Sequence, residues 1–543
     1  MNAIQRENAL QGSSGWHVRD APAHAIEGYA SAVSVAAGDE LQLHVSTAPA
    51  ASYRVEVYRL GWYGGLGGRK EACLPADCSD QAGRAQRLGS PRADGFLAER
   101  WPVTEAIRVP ASWVSGYYLA VLRLTSGPSA GQGAWVPFVV RAPASQRSAV
   151  LVQASVNTWQ AYNDWGGFSL YKGPTGVSCK GVCTRVSFDR PYDPRSPNLW
   201  AFELPLVHFL EQGGQDVSYT TDVDTDRDPS ELLRHRLVIV AGHSEYWTKT
   251  MRDGLDAARA AGTNLAFMGA NDGFWQMRYA DDRRTIVEYR LRKLDPEPSM
   301  ALKTLRFREL VPPRPECRLE GVQYVRGGVE SIGGQHDYAV APGALTDPWF
   351  AGTGFTATST LPRLVGYEWD AIQPGCMTPA PKALFHFAGP PAPADAVRFT
   401  APSGAIVFSA GSLSFANGLD DFRLRPQSVP TGDPRLEAFM RNALADLVRP
   451  APPLGVTVSS GPSGVTIHVR RAPDPRIRSV RVYRARARNP LEYGSRGMRL
   501  VCATLQPTCV DRAAPRGQRV RYVLVVRDRW GQSPPFVTPP MRG

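Results

Sequence analysis

At 543 residues the chain is longer than one hydrophobic core usually serves, so roughly two to four domains are expected. With 43% hydrophobic and 21% charged residues it is not a disordered polymer, and no apolar run reaches the length of a membrane span. The net charge of +12 is localised: residues 451–543 carry 17 Arg, no Lys and 4 acids, or +13, whereas the first 450 residues sum to −1.

The opening segment MNAIQRENALQG lacks a basic-then-apolar pattern, so a signal peptide is either absent or already removed from this numbering. As far as residue 147, LQLHVST, YRVEVYRL and YYLAVLRL place apolar residues at every second position, which is the period of half-buried strands. No convincing helix separates them, and residues 1–147 read as an N-terminal β-sandwich. At Ala149 the rhythm changes. AVLVQAS (149–155), LVIVAG (237–242), NLAFMG (264–269) and GAIVFSAG (404–411) are continuous apolar runs suited to parallel strands covered on both faces. Helical patterns alternate with them: LWAFELPLVHFLEQGG, TKTMRDGLDAARAAG and PRLEAFMRNALADLV. A doubly wound α/β domain is therefore expected over 148–448, of the glutamine-amidotransferase or flavodoxin kind, with a Pro-rich, mainly β insertion at about 300–400. RPAPPLG (449–455) is a linker. The alternating GVTVSS, GVTIHVRR, SVRVYRA and VRYVLVVRDRWGQSPP that follow resemble a fibronectin type III-like β-sandwich over 455–543, a kind of module that usually serves as a spacer.

The Arg-rich tail suits an anionic envelope polymer. Nucleic acid is disfavoured because no recognition helix, zinc finger or RNA-binding motif accompanies the charge, and an ordinary solvated basic face is the plainer reading. The eight Cys fall into close pairs, Cys73/Cys78, Cys179/Cys183 and Cys502/Cys509, with Cys317 and Cys376 left for a longer bridge. Zinc would want a CxxC or a following His at ligand spacing, and neither is present. Disulfides imply a secreted or periplasmic protein, with the cytoplasm as runner-up.

Open α/β sheets bind ligands beyond the carboxyl ends of their strands. After AVLVQAS come Tyr162, Asn163 and Asp164; after LVIVA comes GHSEYW with His243 and Glu245; after NLAFMG come Asn271 and Asp272. If those strands are neighbours, their polar groups meet at one edge. In an extended His243-Ser244-Glu245 the first and third side chains share a face, while Tyr246 points away into packing beside Trp247. No GxSxG elbow, Cys nucleophile or HExxH follows these strands, and Ser244 sits between bulky neighbours. Tyr and Glu together offer hard anionic oxygens suited to ferric iron, which polarises carbonyls or activates water.

VNTWQAYNDWGGFSLY (156–171), GHSEYW (242–247) and MGAND (268–272) resemble the C-terminal catalytic domain of the N,N-dimethylformamidase large subunit, and REN…IEGYAS…VEVYRLGWYGGLGGRK with WVSGYYLAVL resembles the β-domain preceding it. The likeness spans roughly residues 6–448. It implies an amidohydrolase with one Fe³⁺ held by two Tyr and one Glu, here Tyr162, Glu245 and Tyr118 of the SGxY pattern, with adjacent Tyr117 as the alternative. It also implies substrate or proton-transfer roles for His243, Asn271 and Glu368 of LVGYEWD, and a Lys for which Lys293 is the nearest offer. A small-molecule amide would be the substrate. The family enzyme has further N-terminal domains and a small subunit that this sequence does not show, and the oligomeric state stays open. Each assignment has a plainer counterpart: Tyr162 and Tyr118 as packed aromatics, His243 as a structural histidine, Asn271 as a turn former, and His208 as core. Two other readings stand beside the enzyme. One is an idle envelope-binding protein on the same scaffold; the other is a metal-free glycan hydrolase using carboxylates such as Glu245 and Asp272.

Overall fold

The computed structural model describes residues 1–143, 145–173, 182–193, 202–325, 335–390, 392–421, 431–470, 474–486 and 497–542. The apolar runs become a nine-stranded mixed sheet: β1 (Val150–Ala154), β2 (Val217–Thr221), β3 (Leu237–Ala241), β4 (Asn264–Met268), β5 (His336–Val340), β6 (Thr360–Val365), β7 (Lys382–Phe387), β8 (Ala394–Thr400) and β9 (Ile406–Ser409). Their order is β2-β1-β3-β4-β9-β8-β7-β5-β6. The first five pair in parallel, and β1 to β4 are buried at every position, as runs apolar on both faces require.

The expected insertion at 300–400 is not a separate excursion. Strands β5 to β8 continue the same sheet as an antiparallel wing on β9. Pro and Gly punctuation hides that continuity in the sequence. Strand β2 (VSYTT) was also unexpected, because its hydroxyls break the apolar signature. They are nonetheless used: Ser218 Oγ lies 2.7 Å from Ser148 Oγ, and Thr221 caps the helix that follows it.

The three sequence-predicted helices are present. Lys249–Ala260 starts on the Thr248 cap, buries Met251, Leu255 and Ala258, and gives way to Gly262 at φ 86°. Pro434–Leu447 starts on the Asp433 cap and buries Leu436, Phe439, Met440, Ala443, Leu444 and Leu447. Leu204–Gln212 ends at Gly213.

Ahead of this sheet, Glu27–Ala30, Glu40–Ser46 and Glu105–Arg108 form a three-stranded layer against a larger sheet containing Ser52–Leu60, Gly68–Leu74, Gly116–Leu124 and Gln132–Arg141. Alternation along Gly116–Leu124 sends Tyr118, Ala120, Leu122 and Leu124 into the core between the two layers. It sends Tyr117, Leu119 and Val121 into the core shared with the central sheet. The larger sheet is therefore a middle layer with an apolar contact on each face. A fully buried ion pair, Arg59–Glu211 at 2.7 Å, crosses that second contact, and Tyr219 and Asn8 also donate to Glu211. A buried pair so saturated avoids the cost of an orphaned charge.

Beyond residue 453, Leu454–Gly461, Gly464–Arg470 and Thr508–Asp511 form one sheet; Arg499–Thr504, Ser479–Arg486, Arg519–Arg527, Phe536–Val537 and Met541–Arg542 form another. Ile467, Val482, Tyr522 and Leu524 share their core. Arg236, immediately before β3, anchors this unit through Asp474 (2.6 Å) and Asp528 (2.5 Å). Arg476 returns the contact onto the His235 carbonyl and Thr263 Oγ1. Disulfides join Cys73–Cys78, Cys317–Cys376 and Cys502–Cys509; the pairing expected of Cys179 lies outside the described residues. Among the described residues no helix is long and apolar enough to cross a membrane.

His235 is 3% exposed beside this anchor. Burial lowers its pKa from 6.5 to about 4, against the Ser148 carbonyl hydrogen bond and with help from the nearby Arg476 charge. The unfolded chain therefore binds the proton more readily between those values. Its contribution should be complete above pH 6.5 and be lost as pH falls towards 4, about 3 kcal/mol in all. Urea melts across this range should show the loss, and His235→Gln should flatten it.

Candidate functional site

The carboxyl ends of β1, β3 and β4 meet because the strands are adjacent. Ser155, following β1, donates from Oγ to the Ala241 carbonyl at the end of β3 (2.5 Å). A short helix, Val156–Ala161, then delivers Tyr162. Gly166 and Gly167, at φ 75° and 84°, turn the chain back, so that Tyr171 returns beside Tyr162 with ring centroids 4.3 Å apart. After β3 the chain bends at Gly242, whose carbonyl would lie 1.7 Å from a side chain at Gly269. Only glycine permits the ends of β3 and β4 to pass so closely. Asn271 follows in the left-handed region at φ 56°, a conformation that Asn tolerates.

Glu245 lies at the centre, 2% exposed. Its Oε2 accepts from the Tyr162 hydroxyl at 2.9 Å and its Oε1 from the Tyr171 hydroxyl at 2.6 Å. Its own N–H donates to Thr158 Oγ1 at 2.9 Å. His243 Nε2 lies 3.6 Å from Glu245 Oε2 and 3.3 Å from Glu368 Oε2, which also accepts from Asn271 Nδ2 at 2.7 Å. Behind the phenols, Tyr246 donates to the Tyr171 hydroxyl at 2.6 Å, and Arg290 donates to Tyr246 and lies 4.1 Å above the Tyr171 ring. Asn271 Oδ1 and Asp272 Oδ2 are buried without a hydrogen-bond donor among the described residues.

Burial dominates the electrostatics. It holds the Tyr162 and Tyr171 phenols well above their ordinary range, and the Glu245 charge pushes them further. Burial also raises Glu245, against the pull of His243. At His243 burial works downward, but the Glu368 carboxylate, and Glu245 after it, lift the imidazole to about 9. The cluster is thus a cationic imidazole bridging two carboxylates, flanked by neutral phenols. Among the described residues no trio of His, Cys, Asp and Glu is arranged to hold a metal. The hard donors in direct contact at Glu245 are its own carboxylate and the phenol oxygens of Tyr162 and Tyr171.

Five of the residues singled out in the sequence converge: Tyr162, His243, Glu245, Asn271 and Glu368. Tyr118 does not join them. Strand parity turns it into the sandwich core, where it stacks on Trp113 at 5.0 Å and donates to the Val114 carbonyl at 2.7 Å. Tyr117 faces the central sheet, but its hydroxyl bonds Glu203, a buried carboxylate that also accepts from Trp159. Lys293 is exposed, and the buried cation beside the phenols is Arg290. Tyr246 does not simply pack beside Trp247, since its hydroxyl reaches Tyr171. Ser244 is occupied by the Trp247 indole N–H, Asp272 accepts the Ser244 N–H, and His208 is buried against Asp420. Tyr171 was missed because a tyrosine nine residues from Tyr162 looks remote until the Gly-Gly turn is given weight.

Tyr118→Phe should lose one hydroxyl–carbonyl bond, about 1 kcal/mol. Tyr171→Phe strands one buried oxygen of Glu245 and should cost more, roughly 1–3 kcal/mol. Paired denaturant melts check that ranking.

No curated protein matches the chain. A family model does, over residues 54–430: the C-terminal region of N,N-dimethylformamidase beta subunit-like proteins. That span takes in most of the middle-layer sheet, the central sheet and every residue of the Glu245 cluster. The chain therefore belongs to the N,N-dimethylformamidase beta subunit-like family.

Proposed function

We propose that the protein is an iron-dependent amidohydrolase that cleaves the C–N bond of a small amide, and that it acts outside the cytoplasm. One observation carries the reading: a buried carboxylate takes a phenol hydroxyl on each of its two oxygens. Three hard oxygen donors in one water-poor place fit Fe³⁺, and Tyr162, Tyr171 and Glu245 are the residues that would hold it. Tyr171 replaces Tyr118 in that set. When bound, the ion would supply Lewis-acid polarisation of the amide carbonyl and displace the phenol protons.

The remaining residues hold and move protons. His243, cationic between Glu245 and Glu368, sets its Nε2–H against their two carboxylates and holds them at one place. Asn271 fixes the Glu368 carboxylate with its amide N–H. Glu368 then accepts a proton from the attacking water and delivers it to the departing amine, the work of a general base and acid in turn. Arg290 and Tyr246 secure the Tyr171 ring from behind. Family membership supports the scaffold, and the three disulfides are compatible with export. The pair of facing sheets after residue 453 supports a fibronectin type III-like reading of that unit.

Protein purified with iron supplementation should contain about one iron per chain and show a visible phenolate-to-iron absorption band. Tyr162→Phe and Tyr171→Phe should each alter the band, Glu245→Ala should lose the iron, and Tyr118→Phe should keep both. A colourless, iron-free preparation overturns the metal assignment. With N,N-dimethylformamide as probe, Glu368→Gln should lower kcat by roughly 10²–10⁴ while iron content stays constant.

A further inference from the structure

The central sheet and the C-terminal unit enclose a cleft of about 950 Å³ that has no part in the Glu245 site. Its walls carry five cationic side chains, Arg259, Arg318, Lys382, Arg398 and Arg470, and none of its lining residues is acidic. Three of the cations meet carboxylates from outside the lining: the buried Asp347 serves both Lys382 (3.3 Å) and Arg398 (2.8 Å), and Asp256 lies 3.3 Å from Arg259. Nη1 of Arg398 lies 3.6 Å from the Asp446 carboxylate, beyond hydrogen-bond reach. Arg318 and Arg470 are exposed and have no carboxylate partner among the described residues. Arg259 spends one nitrogen on the carbonyls of residues 318 and 319, fixing the wall from which Arg318 projects. The Cys317–Cys376 disulfide ties that wall to the opposite one, which begins at Met377. Arg259, Lys382 and Arg398 are therefore held in place before any ligand arrives, which lowers the ordering cost of binding.

We propose that this cleft binds a strand of carboxylate-bearing polysaccharide. Guanidinium forks match planar carboxylates in paired hydrogen bonds, and four of the five cations are Arg. The Thr378 and Thr400 side chains in the same walls offer hydroxyls to sugar hydroxyls. Nucleic acid fits less well, because the lining has one aromatic residue, Phe399, and no stacking platform for bases. The C-terminal unit adds to the attraction. Of its four acids, Asp474 and Asp528 are turned onto Arg236 and Asp511 onto Arg484, so its field stays strongly positive.

Isothermal titration of the full chain with oligogalacturonate tests the proposal, with single-stranded DNA of equal charge as the rival ligand. The expected result is saturable oligogalacturonate binding that weakens as salt rises. Arg318→Glu combined with Arg470→Glu should weaken it by about tenfold or more at an unchanged melting temperature. Arg512→Glu with Arg516→Glu, exposed positions outside the cleft, should have a much smaller effect. Absence of binding at low salt overturns the proposal. So does binding indifferent to the cleft pair, equal loss from both pairs, or DNA bound as tightly as the saccharide.

Discussion

A carboxylate buried at the end of a strand has to be answered from every side, and the Glu245 neighbourhood is organised by that requirement. Leaving such a group ionised and unpaired in an apolar interior is prohibitively costly. Each oxygen has its own phenol, the backbone N–H has a threonine, and the nearest cation is an imidazole held between two acids. Those partners come from the ends of different strands and from the wing of the sheet. The same need therefore explains the Gly242–Gly269 approach, the Gly166–Gly167 reversal and the inward placement of Glu368.

A second dependence runs through the layers. The larger N-terminal sheet has no solvent-facing side along its central strand: alternate residues of Gly116–Leu124 serve two different cores. The sandwich is thus part of the support of the central sheet and not an appendage to it. Arg59 and Glu211 carry that relation into electrostatics, since neither could remain buried without the other.

Much of this was legible in the sequence. Continuous apolar runs identified four of the five parallel strands, and strand-end reasoning brought Tyr162, His243, Glu245 and Asn271 to one edge. Alternation correctly paired His243 with Glu245. The same rule, applied to YYLAVLRL, would have separated Tyr117 from Tyr118, but which parity faces which core is set by a layer the sequence does not announce. Arg290 was hidden for another reason. It reaches the phenols from a segment at φ 60°, outside any regular period. The wing at β5 to β8 was disguised by Pro and Gly, and Tyr171 by nine residues of apparent distance.

Arg236 stands at the root of β3, and the opposite end of that strand leads directly to His243 and Glu245. The covalent link between the C-terminal unit and the central sheet is the RPAPPLG segment, but the stiff connection is this guanidinium between two carboxylates. A pull applied to the C-terminal unit is therefore borne first by Arg236 and passed along a fully buried strand. In mechanical terms the unit is a handle bolted to the beam that carries the site, not a weight hung from a cord.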